Sequence, residues 1–433
     1  MTSPTSRPRS ATARDVVRIA SGNFLEMYDF MVFGYFAAAI GGAFFPTGDP
    51  ASALLKSLAT FGAGFLMRPL GALVLGAYTD RHGRRAGLLL TLALMSVGIV
   101  TLTVTPGYAM IGVLAPILVL GGRLIQGFSA GAELGNVSVY LAEIAPPGRT
   151  GFYVSWQSAS QQVAVVVAAL VGVALSSLLS PAQLAAWGWR VPLALGCLLV
   201  PLLFLLRRHL RESDDFEQRP APDSLGTVMR HLWQARGLVL AGLGMVLMTT
   251  VSFYMITAYT PTFGKLLHLP EAANLWVTAG VGASNLIWLP TMGALSDRIG
   301  RKPILIACTL LMLATAYPAM AWLTAAPSVA RLVAVELWLS ALYASYNSAM
   351  IVYLTEIVPA QVRASGFSLA YSLATAVGGF TPFLVTWAID ASGNRAIPGV
   401  WLSVTAAISL VAILATARRK RGPDTAANPS PRT

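Results

Sequence analysis

The sequence predicts an all-α membrane protein, twelve transmembrane helices in two pseudo-symmetric six-helix bundles, and three observations carry that prediction. Of 433 residues, 55% are hydrophobic and only 11% charged, where soluble domains carry about 25% charge. Apolar runs recur from Val16 to Ala417, each of about 20 residues and so able, as a helix, to cross roughly 30 Å of hydrocarbon. Two motifs of the first half return in the second.

The runs lie at 18–42, 53–78, 86–106, 110–135, 152–178, 189–206, 237–260, 272–295, 303–323, 330–354, 364–389 and 398–417. They are far longer than barrel strands and lack their alternation, so helices, which satisfy every backbone group within the segment, are the reading that survives in hydrocarbon. The first run is too long for a secretory signal, carries Glu26 and Asp29, and has no small-residue cleavage site; it is expected to stay attached. Cys197 and Cys308 fall in runs of different halves, which suits small core residues and gives no disulfide framework. His82, His209, His231 and His268 lack ligand-like spacing, so neither a metal nor another cofactor is expected.

The net charge of +12 would raise nucleic acid as a partner for a soluble chain. Here its distribution follows the rule that cytoplasmic loops are positive. With the N-terminus inside, the alternating runs place Arg7, Arg9, Arg14 and Arg18, the loop of Arg81, Arg84 and Arg85, and the tail Arg418, Arg419, Lys420 and Arg421 all on the cytoplasmic side. Aromatic residues for base stacking do not interleave with these charges, so no nucleic acid is expected. The expected setting is a bacterial inner membrane, with both termini cytoplasmic and the chain monomeric.

Between the sixth and seventh runs stands "RRHLRESDDFEQRPAPDSLGTVMRHLWQAR", too charged to cross a membrane. It divides the chain into a tail (1–17), a first bundle (18–206), a linker (207–236), a second bundle (237–417) and a basic tail (418–433). "GAYTDRHGRR" after the second run is echoed by "GALSDRIGRK" after the eighth, and "YLAEIAPPGRTGF" after the fourth by "YLTEIVPAQVRASGF" after the tenth. Echoes at nearly one offset define a six-helix repeat, and parallel repeats of this kind place a binding site between two halves that rock against each other.

Four charges sit where hydrocarbon would be. Glu26 and Asp29 in "GNFLEMYDF" lie about 60° apart on a helical wheel and can share one face. An acid near a helix centre costs about 2.5–3.5 kcal/mol on insertion scales, so such groups face a cavity and mark ion or proton routes, or else form structural ion pairs. Arg123 falls near the middle of the fourth helix, where it needs an acid, a carbonyl or an anionic ligand, and Asp29 is the evident partner. Arg68, in "FLMRPL", is also deep; it is either a second cation for an anion or a helix-helix anchor beside a kink at Pro69. Glu26 is nearer the cytoplasmic end and can equally be a gate or packing contact. Glu133 shares a face with Gln126 and reads as a second protonation site or a structural partner. In "SWQSASQQ", Gln157 and Gln161 lie four apart, with Ser158 and Gln162 repeating the interval; the amides can orient carboxylates or simply join helices.

The pairing of "DRHGRR" with "DRIGRK", together with "GRLIQGFSAGAELGNVSVYLAEIAPPGR", resembles the major facilitator superfamily over essentially the whole chain. "GNFLEMYDF", "FLMRPLGALVLGAYTDRHGRR" and "WGWRVPL" resemble its metabolite:proton symporters, and "SWQSASQQVAVVVAAL" and "GFSAGAELGNVSVYLAEIAP" look like the citrate–proton and tricarballylate carriers among them. Met27 departs from the pattern, standing where many relatives carry Trp. The resemblance implies import of a tricarboxylate with protons, and no enzyme chemistry. It implies that Asp29, with Glu26 and Glu133, couples protons. Arg123, Arg68, Asn23, Gln126, Gln157, Gln161, Tyr254, Tyr346 and Asn347 are the residues expected at the substrate. It further implies a cytoplasmic gate of Asp80, Arg84, Glu143 and Arg149 with Asp297, Arg301, Glu356 and Arg363, latched when the carrier faces outward. A carrier of another organic acid or an osmolyte, and a proton-independent facilitator, remain open at this point.

Overall fold

The computed structural model describes residues 22–46, 48–82, 84–131, 137–138, 141–142, 145–208, 226, 230, 233–358 and 363–419. The terminal tails, most of the linker, Glu133 and Glu143 lie outside the described residues, as do the side chains of Asn23, Asp80, Arg84 and Arg363.

The first half contributes α1 (Gly22–Tyr35), α2 (Ala37–Phe44), α3 (Pro50–Leu66), α4 (Arg68–His82), α5 (Arg84–Val104), α6 (Leu114–Ala130), α7 (Thr150–Leu178) and α8 (Arg190–Arg208). The second contributes α9 (Arg236–Ile256), α10 (Thr260–Leu266), α11 (Glu271–Ile299), α12 (Arg301–Ala325), α13 (Val329–Ile357), α14 (Arg363–Gly378), α15 (Thr381–Ser392) and α16 (Ile397–Arg419). Among the described residues there is no strand. Seven spans are long and apolar enough to cross a membrane unaided, and two bent helix pairs add two crossings. The shorter apolar stretches Leu89–Val104 and Leu114–Ala130, with the 29-residue and more polar α11, bring the passes to twelve.

Several runs that the sequence predicts as single helices are broken. The first, expected over 18–42, bends by 72° between α1 and α2 at Phe36. The second breaks at Met67, the seventh between Ile256 and Thr260, and the eleventh between Gly378 and Thr381. Pro69, Pro261 and Pro382 each stand at the second position of the helix that follows. A proline there lacks an N–H and crowds the preceding carbonyls, so the chain restarts its helix rather than continuing it. Helix starts are otherwise local chemistry: the Asp49 carboxylate accepts from the backbone N–H of Ala51 (3.2 Å) and Ser52 (3.0 Å) ahead of α3, and Ser328 accepts from Arg331 N–H ahead of α13.

The two halves meet along two seams, α7 on α11 and α3–α4 on α14–α15. At one end of the first seam, near the start of α7, the backbones nearly touch, since a Cβ on Gly151 would stand 2.4 Å from the Gly293 carbonyl oxygen. Where the two broken spans α1–α2 and α9–α10 approach, Gly34 lies against Ala258. The largest hydrophobic cluster runs through both halves and across these seams.

Candidate functional site

In the middle of the first half, α1 brings two carboxylates against two guanidiniums from different helices. Arg123 Nη1 on α6 donates to Asp29 Oδ2 at 2.7 Å, and Arg68 Nη2 at the head of α4 donates to Glu26 Oε1 at 2.6 Å. Arg123 is 0% and Asp29 1% exposed. Four aromatic rings enclose the cations. Arg123 lies 3.9 Å from the Phe33 ring centre and 5.0 Å from Phe30, while Arg68 lies 4.7 Å from Phe65 and 5.3 Å from Phe30. The backbone makes room for this: a Cβ on Gly127 of α6 would fall 1.6 Å from the Gly64 oxygen of α3, so only glycine lets these helices close tightly enough to seat both arginines.

The inner pair is under-satisfied. Arg123 Nη1 also donates to Gln126 Oε1 at 2.7 Å, yet Arg123 Nε and Nη2, Asp29 Oδ1 and Gln126 Nε2 are buried without a hydrogen-bond partner. On α7, which packs against α1, Gln157 Nε2 and Gln162 Nε2 are in the same condition. A buried donor left unmade costs roughly 1–3 kcal/mol, and around Arg123 three such donors, its Nε and Nη2 and Gln126 Nε2, stand against one free acceptor, Asp29 Oδ1.

The second half completes the site from α11 and α13. Asn347 Nδ2 donates to Ser158 Oγ at 2.9 Å, and Ser158 in turn to Gln157 Oε1 at 2.8 Å. Asn285 Nδ2 donates to Gln162 Oε1 at 3.3 Å while its own Oδ1 accepts from Ser340 Oγ at 2.8 Å. Tyr254 packs on Phe65 and Phe61, ring centres 4.9 and 6.0 Å apart, and with Tyr371 lies within electrostatic reach of the Glu26–Arg68 pair.

Of the residues expected at the substrate, Arg123 and Gln126 are held in one hydrogen-bonded group with Asp29, Gln157 and Asn347 in another through Ser158, and Tyr254 faces the aromatic box. Gln161 is buried on α7. Arg68 is engaged by Glu26. Tyr346 is not gathered with them: its hydroxyl donates to the Met245 carbonyl at 3.0 Å and lies against Ser409, inside the second bundle. Helical spacing along the tenth run does not tell which neighbour a face meets, and in this arrangement the Tyr346 hydroxyl is engaged within the second bundle. Sequence reasoning passed over Asn285 and the Phe30, Phe33, Phe61 and Phe65 box; an amide inside the eighth apolar run was the available signal for Asn285.

At the end of the bundle that carries the repeated motif, Asp297 reaches across to the other half and accepts the backbone N–H of Gly151 (2.8 Å) and Phe152 (3.1 Å). These are orphan donors at the start of α7, whose own cap residue Arg149 gives no side-chain cap. Arg301 holds Asp297 at 2.7 Å and Glu356 at 3.4 Å. The closure between halves is therefore a carboxylate on a helix N-terminus, braced by an ion pair within the second half. Among the described residues no cluster of three or more His, Cys, Asp or Glu could hold a metal ion.

Two halves of six passes each, meeting along two seams, with a buried cluster of two ion pairs inside the first half, define the major facilitator fold of secondary transporters. The crystal structure of the D-xylose-proton symporter has the same fold, with a TM-score of 0.73 over 93% of this chain and 96% of that one at 19% identity. The chain belongs to the sugar (and other) transporter family, whose pattern matches residues 16–219 and 216–420. It is 54% identical to the citrate-proton symporter of Klebsiella pneumoniae over 93% of this chain and 91% of that protein. It is 51% identical to the citrate-proton symporter of Salmonella typhi, and 32% identical to the alpha-ketoglutarate permease of Escherichia coli over 94% of each chain.

Proposed function

We propose that this multi-pass membrane protein imports citrate, or a tricarboxylate close to it such as tricarballylate, together with protons by alternating access. The observation that carries the reading is the Arg123 guanidinium, bound to Asp29 through one nitrogen while two others are buried and unpaired. With Asp29 ionised, the pair is closed. A proton on Asp29 removes its charge and frees Arg123 to take a substrate carboxylate through two parallel N–H groups. The unpaired amides of Gln126, Gln157 and Gln162 then supply donors for the remaining oxygens, and Glu26 with Arg68 holds the floor of the site. Identity to two citrate-proton symporters supports citrate over the 2-oxo acid of the more distant permease.

In this reading 18–206 and 237–417 are the rocking halves, and 207–236 and both tails lie in the cytoplasm of a bacterium whose inner membrane holds the chain. The residues of the site all come from one chain, so a monomer suffices. Asp29→Asn in proteoliposomes is expected to abolish accumulation driven by a proton gradient while citrate exchange continues; unimpaired accumulation removes Asp29 from the coupling. Competition of citrate uptake by citrate, tricarballylate and 2-oxoglutarate, run at two pH values, ranks the cargo. Stronger competition by 2-oxoglutarate than by either tricarboxylate would refute the citrate assignment.

A further inference from the structure

One buried acid has no part in the site above. Glu336 on α13 is 0% exposed, and neither of its carboxyl oxygens has a hydrogen-bond partner. Its flanks on the helix, Leu332, Val335 and Leu339, are buried and apolar. Its polar neighbour is the Thr260 hydroxyl at the start of α10, set off hydrogen-bond geometry. Thr260 gives its own hydrogen to the Ile256 carbonyl at 2.9 Å, so toward Glu336 it presents an acceptor.

No cation answers this acid. On the elements packed against it, Lys265 of α10 and Glu271 of α11 are exposed. Asp297, Arg298, Arg301 and Lys302 stand at the far, cytoplasmic ends of α11 and α12. Arg331 on α13 is turned to the Trp322 carbonyl, Glu356 at the far end of α13 is taken by Arg301, Arg236 starts α9, and the remaining titratable groups are the thiol of Cys308 and the phenols of Tyr153, Tyr254, Tyr259, Tyr317, Tyr343, Tyr346, Tyr353 and Tyr371. None forms an ion pair with Glu336 among the described residues. The internal repeat sharpens the point. The separation that carries "YLAEI" at Tyr140 to "YLTEI" at Tyr353 carries Arg123 to Glu336. At the depth where one half has a clamped guanidinium, the other has a carboxyl facing only a hydroxyl oxygen.

An ionised carboxylate cannot be left there dry and unpaired; it needs a proton, a cation or water. We propose that Glu336 is a second proton-binding site, in the second half, and that α10 closes over it only when it carries a proton. The proton arrives from water on the outer side while α10 is open, converts the carboxylate to a carboxylic acid that can donate toward Thr260, and so makes closure of the outer part of the seventh span conditional on pH. This uses the transporter reading above for its consequence, but not the role given to Asp29.

The test has two readouts on the full-length protein. Purified wild-type protein in lipid is expected to show the infrared carbonyl stretch of a buried protonated carboxylic acid, a component of which is lost in Glu336→Gln and kept in Asp29→Asn. Citrate exchange without a gradient in Asp29→Asn, where that acid no longer titrates, should fall about tenfold per pH unit above the titration point of that component, the slope for one linked proton, while adding Glu336→Gln makes the profile flat. Glu336→Met in the same background, of similar volume and equally unable to ionise, gives the same flat profile if the glutamine variant folds poorly. An infrared spectrum unchanged by the Glu336 substitution, or an undiminished pH slope in both double variants, overturns the proposal. Neither outcome bears on Asp29, whose failure would appear as gradient-driven accumulation surviving Asp29→Asn.

Discussion

The fourth and tenth spans occupy related places in the repeat, and they solve the problem of buried charge in opposite ways. In the first half, two acids and two guanidiniums sit together and sum to zero charge, enclosed by phenylalanines. In the second half the related span carries Glu336, which has no counter-ion among the described residues and only the Thr260 hydroxyl as a polar neighbour. Repetition has kept the machinery at the helix ends, where "DRHGRR" and "DRIGRK" still correspond. It has not kept the centre. The lesson is that a protein built from two like halves can gather its buried ion pairs in one of them and leave the matching place in the other without any, since each buried charge costs several kcal/mol to desolvate.

The comparison is broken most forcefully by removing charge from the first half. Arg123→Gln strands the Asp29 carboxylate, and stranding one member of a buried pair costs about 3–5 kcal/mol. The Asp29→Asn/Arg123→Gln double variant leaves two neutral amides in the same space. Its thermal unfolding in detergent is expected to recover most of the stability lost by Arg123→Gln alone, while citrate binding stays lost in both. Strictly additive losses would show that the two side chains do not act as a pair.

How far the sequence could be read follows from what helical periodicity encodes. Glu26, Asp29, Arg68 and Arg123 were legible as deep charges because depth along a helix is simple counting, and Asp29 was named as the partner of Arg123. That Glu26 would take Arg68 was not legible, since the direction in which a helix turns its face is set by neighbours far away in the chain, here by the glycine contact between Gly64 and Gly127. The same limit hid the neighbours of Tyr346 and passed over Glu336, although that acid lies inside the tenth apolar run and its depth was open to the same counting. The prolines that break the second, seventh and eleventh spans were visible, but only the kink at Pro69 was read from them. The gate carboxylates were legible as a repeated motif; that Asp297 would bind backbone N–H groups across the halves was not, because a helix N-terminus has no residue type of its own.

That cross-half contact gives the next way to sharpen the comparison. Asp297→Ala leaves the first N–H groups of α7 without an acceptor, a change worth about 0.5–2 kcal/mol when a helix cap is removed. The loss falls only on the arrangement closed at the cytoplasmic side, so the balance should move toward the open one by about 2- to 30-fold. A Ser155→Cys probe, isosteric and buried at the same seam, would be labelled faster in this background than with Asp297 intact. Equal labelling rates would mean that the backbone contact does not hold the halves together.

The smallest effect concerns the helix starts on the outer side, where the halves again differ. The second span opens on Asp49 and Pro50, with the carboxylate held by the Ser52 hydroxyl at 2.7 Å and by two backbone N–H groups. The eighth opens on Pro270 with no side-chain cap and Glu271 in its first turn. The Ser52 hydroxyl first, and then the N–H groups of Ser52 and Ala51, hold the Asp49 carboxyl below the usual carboxylate range. A carboxyl depressed in the folded state favours folding above its unfolded value, and that contribution disappears as pH falls through the depressed value. Stability of the wild type should therefore decline slightly more on acidification than that of Asp49→Asn, which keeps a capping oxygen but cannot ionise. Full solvent exposure keeps the difference small and salt-sensitive. Parallel unfolding curves for the two proteins from neutral to acidic pH would show that the cap acts through its hydrogen bonds alone, with no contribution from its charge.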